Sequence, residues 1–198
     1  MADVTKALML SAEDERALDE IAELIAAGVA RNEALGLAGP LSAATYRGQL
    51  AKLMAMVDAG DAGLGAILDP HGSVLGTAQW TRSSYRTRRV LAEMDRVCVT
   101  PTARGLGVGR MLVDLMTADA ADHGIELLSL EVRGNNHGAI ALYESCGFRR
   151  TGLIPNAVAV ETDRYDVVLM HRELGRPAGV KLLGSQPIGA GSSAPHRM

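Results

Sequence analysis

Three glycines alternate with other residues in the heptapeptide Arg104-Gly105-Leu106-Gly107-Val108-Gly109-Arg110. A strand-like run, residues 93–99, precedes it, and residues 111–116 begin a helical pattern. A glycine-rich turn between a strand and a helix gathers backbone N–H groups at the positive end of the helix dipole, which carries roughly half a charge. With an arginine on each side, the heptapeptide predicts an anion site for a phosphate-bearing ligand.

Phosphate-binding motifs of other kinds fit this heptapeptide less well. A Walker P-loop needs Gly, four residues and then Gly-Lys-Ser or Gly-Lys-Thr, and the chain contains no such run. A dinucleotide fingerprint, Gly-x-Gly-x-x-Gly, fits the first two glycines, but position 110 is arginine and Pro101 loosens the approach to the turn. Glu126 and Glu131 stand where a ribose-binding acid is expected, so the dinucleotide alternative stays open here. A turn without any ligand is disfavoured, because glycines cost conformational entropy.

Hydrophobic periodicity alternates between strand and helix along the chain. Residues 90–99, the helix after the glycines and residues 125–133 together predict a βαβ unit with parallel strands. The elements predict an α/β (α+β) fold with a mixed sheet of six or seven strands and about four helices. They form one domain over residues 1–174, and residues 175–198, rich in Gly, Ser and Pro, form a flexible tail. The predicted strands are 4–10, 64–68, 74–81, 90–99, 125–133, 148–153 and 164–173, and the predicted helices are 11–36, 42–60, 107–122 and 139–145.

Composition excludes several classes of protein. The net charge is −3, the aromatic content is 3%, and the first 174 residues carry 17 bases against 23 acids, which argues against a nucleic-acid surface. No run of about 18 apolar residues predicts a membrane span, and no zinc pattern is present. The two cysteines, Cys98 and Cys146, are too few for a disulfide framework. We therefore expect a cytoplasmic protein without a metal, and a homodimer is compatible with these features.

Two motifs together resemble the GNAT superfamily of acetyl-CoA-dependent N-acetyltransferases. Arg104-x-x-Gly107-x-Gly109 is similar to its pyrophosphate-binding signature. Residues 130–148, Leu-Glu-Val-Arg-x-x-Asn-x-x-Ala-Ile-Ala-Leu-Tyr-Glu-x-x-Gly-Phe, resemble its second signature, as in ribosomal-protein alanine acetyltransferases and many small-molecule relatives. The resemblance covers about residues 90–174 and implies the GNAT fold, with acetyl-CoA bound at the βαβ unit.

The resemblance implies a role for each residue that matches a motif position. The backbone N–H groups of Arg104, Gly105, Leu106, Gly107, Val108, Gly109 and Arg110 would hold the pyrophosphate of coenzyme A. Val97, Cys98 and Val99 would pair with the pantetheine arm through their backbone, and an N–H there would polarise the thioester carbonyl. Asn136 would hydrogen-bond the pantetheine region. Tyr143 would lie beside the thioester sulfur and protonate the departing thiolate.

The reaction also needs a base, because an alkylammonium titrates near pH 10 and has no free lone pair. Glu131 matches the base of the ribosomal-protein type, whereas Glu93 matches the strand glutamate of other branches. Strand alternation predicts one shared face for Glu93, Asp95, Val97 and Val99, so both Glu93 and Asp95 would face the acceptor cleft. A covalent role for Cys98 is disfavoured, since no histidine is spaced to activate it.

The motifs identify the donor and leave the acceptor open. Two predicted N-terminal helices leave room for a walled pocket, and the C-terminal strands look more like those of amino-acid and antibiotic-modifying members. We therefore expect acetyl transfer to a primary amine of a small molecule, such as an amino acid, a metabolite or an antibiotic, by direct attack in a ternary complex. The alternatives are acetylation of a protein N-terminus or lysine, and a non-catalytic acyl-CoA-binding module.

Overall fold

The computed structural model describes residues 6–37 and 39–181 of the 198. Seven strands and four α-helices lie in this part of the chain. The helices are α1 (Glu15–Ala30), α2 (Ala43–Asp58), α3 (Val108–Asp122) and α4 (His137–Ser145). The strands are β1 (Lys6–Met9), β2 (Ala62–Leu68), β3 (Val74–Arg82), β4 (Leu91–Val99), β5 (Leu127–Arg133), β6 (Arg149–Val160) and β7 (Asp163–Glu173).

The strands form one mixed sheet in the order β1-β2-β3-β4-β5-β7-β6. Among the described strands, only β4 and β5 pair in parallel, and α3 connects them, so the predicted βαβ unit is confirmed. Strand β7 lies between β5 and β6, in the sheet interior that its continuous apolar run predicts. The predicted α/β fold, with a mixed sheet of six or seven strands and about four helices, is confirmed.

Strands β4 and β5 pair over three residues and then separate. Their ladder begins at Leu91 and ends where Glu93 lies opposite Ser129. Beyond that point β4 continues to Val99 beside β3, and β5 continues to Arg133 beside β7. The edge of β4 that faces β5 therefore leaves backbone N–H and C=O groups free of sheet partners along its second half. The candidate site lies in this opening.

Two hydrophobic cores hold the helices on opposite faces of the sheet. Helix α1 buries Leu18, Ile21 and Ile25, which recur at helical spacing, and packs on β3 and β4, while α2 beside it packs on β2. Helices α3 and α4 cover the other face, where Met116 and Trp80 are fully buried. The glycine turn at the start of α3 is thereby fixed beside the end of β4.

Local boundaries differ from prediction at the N-terminal helix. We expected the helix to open at Ser11, but α1 begins at Glu15. The Asp14 carboxylate accepts hydrogen bonds from the Ser11 N–H and hydroxyl, at 2.9 and 3.1 Å, so it closes the preceding turn and caps no helical N–H. The helix also ends at Ala30, six residues earlier than predicted, before Asn32 enters the left-handed region with φ 56°.

Strand β6 is longer than predicted and extends past Pro155 to Val160. The register shifts between Ile154 and Val158, and Asn156 has φ 55°, so the strand resumes after a bulge at the proline. The division into a domain over 1–174 and a flexible tail over 175–198 stays a prediction, and residues 182–198 of that tail lie outside the described residues. In the described part, no helix is long and apolar enough to cross a membrane.

Trp80 allows a direct test of the core beneath α3. Its Nε1–H donates to Asp119 Oδ2 at 2.7 Å, and the side chain is completely buried. Replacing Trp80 by phenylalanine leaves that carboxylate oxygen without its donor, and we expect the free energy of unfolding to fall by about 1–3 kcal/mol. Chemical denaturation measures the change. A Trp80→Phe/Asp119→Leu double variant should recover part of the loss, whereas a single variant as stable as the wild type would contradict the assignment.

Candidate functional site

The glycine turn presents unpaired N–H groups at the start of α3. Gly107 is the N-cap, with φ 84°, and no side chain caps the helix. Gly105 also has a positive φ, 77°, so both glycines take a backbone conformation that other residues adopt only with strain. Within the described residues, no protein acceptor receives the N–H groups of Gly105, Gly107, Val108, Gly109 and Arg110. The turn therefore has the donors and the helix dipole that a phosphate group requires.

A cavity of about 870 Å³ runs from this turn along the end of β4, a volume typical of ligand sites. Leu106 and Val108 do not line it: the side chain of Leu106 is 40% exposed, and that of Val108, the first residue of α3, is buried in the core between α3 and the sheet. The other predicted donor-binding residues all line it, namely Val97, Cys98, Val99, Arg104, Gly105, Gly107, Gly109, Arg110, Asn136 and Tyr143. The cavity thus has the anion-binding end and the free strand edge that an extended phosphate-bearing ligand such as coenzyme A requires.

A bulge in β4 corrects the predicted alternation of Glu93, Asp95, Val97 and Val99. Asp95 lies opposite Gln79 and Cys98 lies opposite Thr77, so three steps on β4 match two steps on β3. Arg96 sits at this shift with φ 53°. Because Gln79 and Thr77 share a face of β3, Cys98 follows Glu93 and Asp95 on the face covered by α1 and α2.

The same bulge turns Val97 and Val99 toward the opposite core. Both pack with Met94 in the cluster under α3, while Cys98 packs with α1 and α2. The prediction of one face for residues 93, 95, 97 and 99 is therefore wrong beyond Asp95. Residues 97–99 still border the cavity, and the pairing of their backbone with the pantetheine arm stays a prediction.

Three carboxylates lie together where β4 and β5 separate. Glu93 is paired with Ser129, and Glu131 follows two residues later on the same face. Partial burial raises the pKa of Glu93, and the negative charges of Asp95 and Glu131 raise it further against the opposing Arg96. Burial also raises the pKa of Asp95. A carboxylate with a raised pKa among like charges has the environment of a general base.

Tyr143 lines the cavity from α4. The residue is 8% exposed, and its ring packs against Phe148 with the centroids 5.9 Å apart. Burial raises its pKa above the ordinary value for tyrosine, and the charges of Cys146 and Asp95 add to the rise. The phenol therefore keeps its proton at neutral pH, the state that a proton donor needs.

Asn136 and Cys98 have structural roles at the cavity wall. Asn136 is the N-cap of α4, where its Oδ1 accepts from the Ala139 N–H at 3.2 Å. The cap uses only the side-chain oxygen of Asn136. A contact of its amide nitrogen with the pantetheine arm stays a prediction. Burial raises the pKa of the Cys98 thiol to about 11, and the Glu33 charge contributes. The thiol is thus protonated at neutral pH, which agrees with packing rather than nucleophilic chemistry.

An ion-pair network across the cavity mouth was not predictable from the sequence. Arg104 Nη2 lies 2.6 Å from Glu33 Oε1, and Arg31 Nε lies 2.8 Å from the same oxygen. Burial opposes the charge on Glu33, but hydrogen bonds from Arg104 and Arg31 outweigh it and lower its pKa. The network ties the loop after α1 to the glycine turn. The partners are separated by 71 residues, and no local pattern signals the contact.

A second cavity of about 780 Å³ lies between the loop after α1 and the β6–β7 hairpin. Arg133, at the end of β5, lines both cavities. Most of the second lining is apolar, including Val29, Leu37, Pro40, Val158 and Val160. The described residues contain no cluster of three or more His, Cys, Asp or Glu side chains that would hold a metal ion.

Comparison with known proteins agrees with this geometry. The 36%-identical N-alpha-acetyltransferase RimI of Mycobacterium tuberculosis aligns over 107 residues, 54% of this chain and 64% of that protein. The [Ribosomal protein bS18]-alanine N-acetyltransferase of Escherichia coli strain K12 is 34% identical over 79 residues, 40% of this chain and 53% of that protein. The chain thus spans about half the length of such curated relatives.

Solved structures share the fold. The GNAT superfamily phosphinothricin acetyltransferase of Sinorhizobium meliloti, in complex with AcCoA, superposes with a TM-score of 0.76 at 23% identity. The superposition covers 89% of this chain and 93% of that one. A family model described as the acetyltransferase (GNAT) family matches residues 43–148, which is more than half of the sequence. The chain therefore belongs to the GNAT family of acetyltransferases, whose acyl donor is acetyl-CoA.

Proposed function

We propose that the protein transfers acetyl from acetyl-CoA to a primary amine of a small molecule by direct attack in a ternary complex. The observation that supports this proposal is that one cavity is lined by the glycine turn and Tyr143, while the carboxylates of Glu93 and Glu131, which do not line it, lie at the opening between β4 and β5. The three groups are the unpaired N–H groups of the glycine turn, the Tyr143 phenol and these carboxylates. Each group supplies a function that amine acetylation needs.

The carboxylates supply the base. Glu93 or Glu131 accepts the proton of the acceptor ammonium, directly or through a water molecule, and leaves an amine with a free lone pair. The raised pKa of Glu93 makes its carboxylate a stronger base than an ordinary glutamate side chain.

The opposite side of the opening supplies the acid and the donor contacts. Bound acetyl-CoA supplies an acetyl group whose thioester carbonyl is electrophilic. The turn 104–110 would hold its pyrophosphate, and the backbone of residues 97–99 and Asn136 would hold the pantetheine arm. A backbone N–H at 97–99 would polarise the thioester carbonyl. Tyr143 would donate its phenolic proton to the leaving sulfur.

The test is thiol release from acetyl-CoA across a panel of amines, with hydrolysis in the absence of amine as the control. We expect amine-dependent release with small primary amines. If none of the amines in the panel increases thiol release above the control, the enzyme assignment is contradicted. Release with peptides alone would favour the alternative, a protein N-terminal or lysine acetyltransferase.

Substitutions of Arg104 and Glu33 are expected to change the affinity for coenzyme A in opposite directions. Replacing Arg104 by alanine removes a cation from the turn, and we expect coenzyme A to bind about tenfold more weakly. Replacing Glu33 by glutamine removes the carboxylate that holds Arg104, and we expect tighter binding, because the guanidinium is released and a negative charge is lost. Calorimetric titration with coenzyme A measures both. Unchanged affinity in both variants would contradict the pyrophosphate assignment.

Two observations favour the protein-acetyltransferase alternative: the two curated relatives described above are protein acetyltransferases by name, and Glu131 is exposed. The exposure of Glu131 leaves its face of the sheet open enough for a peptide end. The second cavity, walled by the loop after α1 and the β6–β7 hairpin, favours a small acceptor instead. A non-catalytic acyl-CoA-binding module would leave the three carboxylates and the Tyr143 phenol without a role.

The buried free thiols of Cys98 and Cys146 support the cytoplasmic location that we infer.

A further inference from the structure

Arg133 carries a charge that no neighbouring carboxylate balances. Its Nε donates to Asn135 Oδ1 at 2.8 Å, and its guanidinium carbon lies 4.9 Å from the centre of the Tyr165 ring. Between residues 6 and 181, position 38 aside, no carboxylate oxygen lies within 4.0 Å of it. The ring and the Nε bond fix the planar fork, and the two terminal nitrogens stay available. A fixed guanidinium fork is suited to a carboxylate.

The other arginines of the donor cavity are already engaged. Arg31 and Arg104 share Glu33, and Arg110 donates to the carbonyl and hydroxyl of Ser145. Arg110 and Arg104 also flank the phosphate-binding turn. Arg133 is therefore the arginine that stands at the boundary of the second cavity with its terminal nitrogens free among the described residues.

Glu131 stands beside Arg133 with the opposite charge. The two residues are two positions apart on β5, so their side chains leave the same face of the sheet with Cα atoms about 6.6 Å apart. A carboxylate and a guanidinium at this spacing can receive an ammonium group and a carboxylate of one small molecule. A peptide N-terminus supplies the ammonium group but has no free carboxylate on the same residue.

The second cavity supplies the third recognition element. It adjoins Arg133 and is lined mainly by apolar side chains. Its other charged residues are Glu33, held by two arginines, and Glu161 at the hairpin. An apolar side chain extending from the charged groups would bury its surface there.

We propose that the acceptor is a free α-amino acid with an apolar side chain. Arg133 binds its carboxylate, the second cavity receives its side chain, and its ammonium group lies toward Glu131, which is exposed on the same face of β5 and lines neither cavity. This inference rests on the proposed acetyl transfer to small amines, and it names the acceptor class for that site. Arg133 acts as a specificity-determining residue, and the proton still passes from the ammonium to a carboxylate of the β4–β5 opening.

The experiment compares leucine with isopentylamine, which is leucine without its carboxyl group, and with glycine, which lacks the apolar side chain. For the wild type, we expect kcat/KM for leucine to exceed each of the other two by about tenfold or more. In Arg133→Gln the leucine-to-isopentylamine ratio should fall about tenfold, and Arg133→Lys should recover only part of it. Arg150→Gln is the matched control, because Arg150 lines neither cavity, and it should leave the ratio unchanged.

Calorimetric titration of leucine into the coenzyme A complex separates this inference from the proposed function. Leucine binding that Arg133→Gln abolishes, without turnover of any amine, would support the site and contradict the enzyme. Turnover of other amines with equal rates for leucine and isopentylamine would overturn the amino-acid site and leave the enzyme standing. Faster turnover of a leucine-initiated peptide than of free leucine would also overturn it.

Discussion

Tyr143→Phe is expected to lower kcat by about 10²- to 10⁴-fold, the range of a lost general acid. The substitution removes only the hydroxyl, so the packing of the ring against Phe148 is kept. The raised pKa of Tyr143 means that a proton is available to the leaving sulfur at neutral pH. Steady-state kinetics with the best amine of the panel measure the loss.

Two controls keep this result specific. Coenzyme A affinity should change little in Tyr143→Phe, because the phenol acts on the leaving sulfur and not on the phosphates. A thioester donor with a more acidic thiol needs less proton donation, and the variant should therefore lose less activity with it. A full-rate Tyr143→Phe enzyme would contradict the acid role, and an equal loss with both donors would indicate a positioning role instead.

Glu93→Gln is expected to cause a loss of similar size, about 10²- to 10⁴-fold in kcat. Burial and the charges of Asp95 and Glu131 raise the pKa of Glu93 above its ordinary 4.5. Because the base must be ionised, activity falls as pH falls through this raised pKa. Glutamine at position 93 keeps the size of the side chain and removes the base. The pH dependence of kcat, with both substrates saturating, measures the effect.

Glu131→Gln is the matched variant for this test. It removes one of the negative charges that raise the pKa of Glu93, so the acid limb of the kcat profile should move to lower pH, while KM for the acceptor rises because Glu131 faces its ammonium group. The reverse pattern, with activity lost in Glu131→Gln and kept in Glu93→Gln, would assign the base to Glu131. Full activity in the double variant would contradict a carboxylate base at this opening.

The sequence predicts the architecture well because local patterns decide it. Short, mainly apolar runs bounded by turn residues mark the hairpin of β2 and β3, and Ser42 caps α2 as expected, accepting from the Thr45 N–H. The glycine turn carries its own signal, since positive φ at Gly105 and Gly107 requires that residue type. Such features depend on a few neighbouring residues, so they can be predicted without knowledge of the rest of the fold.

Features that depend on distant residues escaped prediction. The Glu33–Arg104 pair and the second cavity exist only because the loop after α1 packs beside the glycine turn and the β6–β7 hairpin. The left-handed conformation at Arg96 has no marker either, because arginine seldom adopts it and the pairing with β3 imposes it. Arg133 belongs to the second signature motif, but only the structure shows that Asn135 and the Tyr165 ring, and no carboxylate of the described residues, contact its guanidinium.

The bulge at Arg96 places one extra residue in β4 between Asp95 and Cys98. The residues after the bulge enter the core that their partners on β3 set, and not the core that strict alternation from Glu93 would give. Substituting Arg96 by glycine or asparagine should leave that pairing intact. Deleting Arg96 would make the pairing regular, with two steps on β4 for two on β3, and would leave Cys98 on the face of α1 and Val99 on the face of α3. Position 96 is therefore a place in this strand where a residue can be lost without exchanging side chains between the two interiors.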